Sequence, residues 1–172
     1  MATVNMTAGH LGSPAGGFEP QRVYNWVLVL PGTTDPELIR LSVERVGLPS
    51  IGTAVIHLRY MNEDIKVSGG ASVDANSITV RDFVDRQTYK TLYEWTAQVH
   101  DPQTGSIGYA ADYKKQGTLQ LVDPIGEIKR QIIVKGVWPS KITATDLDYN
   151  SDSGLVKINL QLSVDKYDLT GL

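Results

Sequence analysis

The chain has 172 residues, about what one hydrophobic core can organise, and its 41% hydrophobic and 20% charged content excludes a disordered polymer. A formal net charge of −3 argues against electrostatic nucleic-acid binding, which needs a basic stripe to displace counterions from phosphates. With no cysteine anywhere, disulfide scaffolds, thiolate zinc sites and thiol catalysis are ruled out.

Residues 1–21 are rich in Gly, Ala, Ser, Thr and Pro without periodicity and read as a flexible arm, leaving 22–172 as a single domain. The start carries neither a basic cluster nor an apolar stretch, so no secretory signal is expected. The longest apolar runs, such as Trp26–Leu30, are far too short to span a bilayer, so membrane insertion is not expected.

From Arg22 the pattern turns to β. RVYNWVLVL (22–30) is β-branched and aromatic and stops at Pro31-Gly32. ELIRLSVERV (37–46) alternates, Ile39, Leu41 and Val43 against Arg40, Ser42 and Glu44, which predicts a strand closing a first hairpin over 22–46. TAVIHLRY (53–60), with Ile56, Leu58 and Tyr60 on one side, and NEDIKVSGG (62–70) predict a second hairpin, and SITVRDFV (77–84) a further strand.

One helix is expected at about 87–100, because Tyr89, Leu92, Tyr93, Thr96 and Val99 fall at i, i+3, i+4, i+7 and i+10. Pro102 and Gly105 end it. YAADYKKQ (109–116) reads as a turn or a short helix. Strands resume at GTLQLVD (117–123), with Leu119 and Leu121 on one face, and at EIKRQIIVKGVW (127–138), with Ile128, Ile132 and Val134 on one face. In LVKINLQLSV (155–164) an apolar face of Val156, Ile158, Leu160, Leu162 and Val164 alternates with a polar face of Lys157, Asn159, Gln161 and Ser163. The fold class is therefore mainly β, an antiparallel sandwich or barrel with one inserted helix.

Catalytic and metal motifs are missing. His10, His57 and His100 form no HExxH or i, i+4 pair, and no GxSxG, Walker or GxGxxG pattern occurs, so no catalytic residue, cofactor or metal ligand is assigned. DYNSDSG (148–154) places Asp148, Asn150 and Asp152 at calcium-loop spacing, but Ser153 stands where that loop needs glycine and Asn159 where it needs glutamate. The stretch reads as a tight turn. Carboxylate pairs such as Glu63/Asp64 and Asp82/Asp85 have nothing in the pattern to bury them, and the chain does not read as an enzyme.

The C-terminal stretch WPSKITATDLDYNSDSGLVKINLQLSVDKY resembles the signature of tail tube proteins of contractile phage tails. The matching positions are Trp138 and Pro139, Asp146 and Leu147, the alternating strand Val156–Val164, then Asp165 and Tyr167. Upstream, SITVRDFVDRQTYKTLYEW is similar to the family's strand, acidic turn and Trp-bearing helix, with Asp82 at the turn and Trp95 on the helix. The resemblance implies subunits that close into six-membered rings and stack as the inner tube of a contractile tail, their strands joining a ring-wide β-barrel. It implies as partners other copies of the chain, a sheath, a baseplate or tube initiator, a tail terminator, and a tape-measure protein and DNA in the lumen, within a virion tail assembled in the host cytoplasm. Six copies at −3 would give a formal −18 per ring, a net-acidic wall that would not grip DNA. The same resemblance admits a tube initiator or the tube of a phage-derived injection device. A monomeric β-sandwich binding module is the alternative from another class, with Trp26, Tyr109 and Tyr113 as its candidate aromatics.

Overall fold

A computed structural model describes residues 20–74, 76–149 and 154–171. The elements run β1 (Trp26–Val29), α1 (Pro36–Ser42), β2 (Val43–Val46), β3 (Ile51–Tyr60), β4 (Glu63–Val73), β5 (Asn76–Arg81), α2 (Thr88–Val99), α3 (Ala110–Tyr113), β6 (Lys115–Val122), β7 (Ile128–Ala144), β8 (Lys157–Ser163) and β9 (Lys166–Gly171). The mainly β expectation is borne out. Seven strands pair antiparallel in the order β1-β6-β7-β8-β5-β2, with β9 also on β7, while β3 and β4 form a separate hairpin.

Strand β7 organises the body because it belongs to two layers. Its first half pairs with β6 and β9, and its second half, from Trp138 on, pairs with β8. Side chains of the β1-β6-β7 layer (Leu28, Leu119, Ile132, Val134) meet those of the β8-β5 layer (Ile78, Val80, Ile158, Leu160) in one buried cluster. The strand changes layer by means of two irregularities. Gly136, at φ +68, lies in a bulge where Lys115 pairs with Val137 but Gly117 with Val134. That extra residue shifts the alternation, so that Val134 and Val137 both point inward. A second register shift falls between Pro139 and Lys141.

Trp138 and Pro139 lie inside β7, not at a corner between strands. Proline lacks the N–H that a ladder needs, and a bulge is where a strand tolerates it. Strand β9 lies beyond the last strand that alternation indicated.

The largest departure is at 37–46, where the expected strand is mostly helix α1 and no hairpin forms over 22–46, since β1 pairs with β6 and β2 with β5. Asp35 decides this locally: its Oδ1 accepts the Leu38 amide at 3.0 Å, and Pro36 follows at the start of the helix. Glu37 and Arg40 add an i, i+3 ion pair. Leu38, Ile39 and Ser42 are buried at helical spacing, whereas Leu41, which alternation would have buried, is 65% exposed. Helix α2 matches its expected span, but the buried stripe is Thr88, Leu92 and Trp95, rotated from the expected one. Tyr89 and Tyr93 are outside, stacked with ring centroids 6.3 Å apart.

Candidate assembly surface

The β3–β4 hairpin is amphipathic and, among the described residues, its strands pair only with each other. Register puts Ile56 opposite Val67 and Leu58 opposite Ile65 on one face, with Tyr60 at its end. His57 opposite Lys66 and Arg59 opposite Asp64 make the other face polar, where His57 Nδ1 lies 2.8 Å from Asp64 Oδ2. Every one of the five apolar-face side chains is more than 40% exposed. An isolated two-stranded ribbon is marginal in water, and a long unpaired edge invites another chain.

Its root is tied down. Ser50 Oγ donates to Asp74 Oδ2 at 2.6 Å, the Asp74 amide donates to Ser50 O, and the Tyr167 hydroxyl from β9 donates to that same carbonyl. Partial burial, reinforced by the Asp74 charge, holds the Tyr167 phenol above its usual pKa, so it stays a donor. Tyr167, read from sequence only as part of an acidic–aromatic pair, thus links the body to the hairpin.

Three further signature positions meet at the Tyr113–Lys114 segment. Trp95 Nε1 donates to Tyr113 O at 2.9 Å, the Trp138 ring stands edge-on to Tyr113 at 5.8 Å, and Asp165 Oδ2 accepts from Lys114 Nζ at 2.7 Å. Pro139 is fully buried. Asp82 Oδ1 accepts the amides of Phe83 and Tyr89 and so holds the entry to α2. These residues pin α2 and α3 to β7. Asp146 and Leu147 join neither group; they lie exposed beyond β7, and most of the turn expected at 148–154, with Asn150, Asp152 and Ser153, is outside the described residues. So is nearly all of the arm expected at 1–21.

Lys157, Asn159, Gln161 and Ser163 do share the outer face of the β7-β8-β5-β2 layer. The pairing places Thr79 and Thr143 beside Asn159, Ser77 and Lys141 beside Gln161, Arg81 beside Lys157, and Arg45 beside Thr79. Asn159 Oδ1 accepts from Thr79 Oγ1 at 2.8 Å. Glu44, in the β2 bulge, reaches Lys157 at 3.0 Å and Arg81 at 3.4 Å. Its hydrogen bond to Lys157, and secondarily that to Arg81, hold the carboxyl below its usual range despite some desolvation. Sequence reading found only the β8 row of this face; the other rows depend on which strands pair.

The aromatics of the binding-module alternative do not converge on one exposed surface. Trp26 packs against the core and Tyr113 against Trp138, while Tyr109 is exposed on its own. Among the described residues no group of His, Asp and Glu could hold a metal ion, and no helix is long and apolar enough to cross a membrane.

No family model matches the chain. Tail tube protein gp19 of Enterobacteria phage T4 is 25% identical over 125 residues, 71% of this chain and 76% of that protein. In fold, the chain is similar to a subunit in the extended sheath–tube complex of the PVC extracellular contractile injection system (TM-score 0.68, 17% identity, 89% of this chain and 93% of that one). It is equally similar to a subunit of the tube-terminating cap of the anti-feeding prophage (TM-score 0.69, 16% identity, 89% and 92%). The resemblance to contractile-tail tube proteins is borne out.

Proposed function

We propose that this chain is the structural subunit of a hollow tube of the contractile-tail type, closing into rings of six that stack along an axis. The observation that carries this reading is the β3–β4 hairpin, an amphipathic ribbon held at its root and bare on its apolar face. A second copy of the chain supplies the missing cover, and the relationship to gp19 makes that copy the natural partner. Two edges of the body support the same reading: among the described residues β2 pairs only with β5, and the second half of β7 only with β8. Joining such edges around a ring yields a closed barrel and removes both edges from solvent. The polar face with Lys157, Asn159, Gln161 and Ser163 then lines the lumen.

In this arrangement α2, with Tyr89 and Tyr93 outward, faces a sheath, and residues 1–21 with the 103–116 segment bridge successive rings. A baseplate or initiator ring and a terminator hold the ends, and a tape-measure protein and DNA pass through the lumen. The complex is a virion tail built in the host cytoplasm. A second reading, a terminal ring, is supported by the cap of the anti-feeding prophage, which shares the fold as fully as the tube does.

Negative-stain electron microscopy across a concentration series tests the proposal. Hollow tubes or stacked annuli are expected; isolated single rings would favour the terminal-ring reading. Uniform monomers at every concentration, even with a preassembled baseplate seed, would reject self-assembly.

A further inference from the structure

The outer face of the β7-β8-β5-β2 layer has a charge opposite to that of the whole chain. Arg45, Arg81, Lys141 and Lys157 point out from four different strands, and the carboxylate set among them is Glu44. Among the described residues of these four strands three positive charges are in excess, on a chain whose formal net charge is −3. Glu44 serves Arg81 and Lys157, while Arg45 and Lys141 make no ion pair among the described residues. Asp82 is turned to the amides at the start of α2, and Asp146 lies past the end of β7. Screening over a Debye length of about 8 Å makes the charges on these rows weigh more with an approaching polyanion than the chain's total.

We infer that this face engages the phosphate backbone of double-stranded DNA without reading its sequence. The inference rests on the tube reading, in which the face lines the lumen, and makes that lining one that holds DNA. Interspersed with the cations are Ser77, Thr79, Thr143, Asn159 and Gln161, hydroxyls and amides of the kind that accompany Arg and Lys at phosphates. Between them no apolar anchor projects, and a protein partner needs such anchors at the centre of its interface. Nor do aromatic rings rise from these rows, so single strands gain no stacking platform. A flat, polar, positive surface suits a duplex backbone.

The test uses the full chain and a fluorescent 20-base-pair duplex followed by anisotropy, with the same samples imaged by electron microscopy. Two duplexes of unrelated sequence should bind alike. With about three phosphates neutralised, affinity should fall about 40-fold between 50 and 200 mM salt; with Arg45→Gln and Lys141→Gln together it should fall only about threefold. The double variant should also bind more weakly at low salt with its melting temperature unchanged, and Lys157→Gln, on β8 away from the joined edges, should bind more weakly with its tubes unchanged. Lys157→Gln provides a second variant should the first misfold. No binding at 50 mM salt, binding indifferent to these changes, or tighter binding of a polyglutamate peptide of matched charge would each overturn the inference. Tubes without duplex binding would sink this inference alone. Failure to assemble would sink the tube reading, and the isotherm would still report on the dispersed subunit.

Discussion

Gly136 is the residue on which the layer change of β7 turns. Its φ of +68 is costly for any residue with a side chain, and a Cβ there would collide with the Asp165 carboxylate. Asp165 cannot easily retreat, because Lys114 holds it and its own amide donates to Lys135 O. Gly136→Ala should therefore destabilise the fold by about 2 kcal/mol or more, measurable by urea denaturation. An unchanged midpoint would mean that the bulge is soft. Glu44 supplies a pH dependence at the same scale. Its folded carboxyl titrates below the ordinary value of 4.5, so the folded state binds fewer protons there than the unfolded chain. The contribution is complete above the unfolded value and lost as pH falls through the lowered folded one. Between pH 6 and pH 3 the wild type should lose more stability than Glu44→Gln. Equal losses would show that the pairs with Lys157 and Arg81 contribute nothing in solution.

At the scale of elements, the hairpin can be separated from the body because its apolar face is not part of the core cluster. Leu58→Lys with Ile65→Lys places charges on that face without touching a buried contact. The monomer should keep its stability to within about 0.5 kcal/mol, as exposed changes usually do. Assembly should be abolished, seen as a single small species in sedimentation velocity. Tubes of normal length from this variant would show that another surface joins the subunits. The elements also show where pattern reading succeeds. Strand β8 was legible because Ile158, Leu160 and Leu162 alternate without a break, and α2 because its length leaves room for the helical period. Helix α1 was not: over seven residues Ile39 and Leu41 mimic alternation, and only the Asp35 cap with Pro36 reveals the helix. That cap is a local signal, and alternation over the same residues masks it. Strand β9 follows β8 so closely that one amphipathic pattern hid the next.

For the molecule as a whole, unpaired edges make stability depend on association. Among the described residues β2 and the second half of β7 each have one ladder partner, and the hairpin leaves its apolar face exposed. Assembled tubes should thus melt at a higher temperature than dispersed subunits of the same chain, by mass action on the folded state. Circular dichroism melts of the two fractions test this; coincident melts would indicate that assembly covers neither edges nor apolar surface.

The sequence by itself determined the mainly β class, the single long helix and, through residues 138–167, the resemblance to tail tube proteins, because periodicity and short ordered motifs are local properties. Signature positions such as Trp95, Trp138 and Asp165 were legible as a set, but not their convergence on Tyr113 and Lys114. Only the tertiary structure decided the sign of the polar face. Net charge is a sum over the chain, and it suggested an acidic wall; strand pairing selects which charges share a surface, and it brings Arg45, Arg81, Lys141 and Lys157 together from segments up to 112 residues apart around Glu44. An electrostatic surface is set by positions in space over a screening length, so no count of residues along the chain could have revealed it.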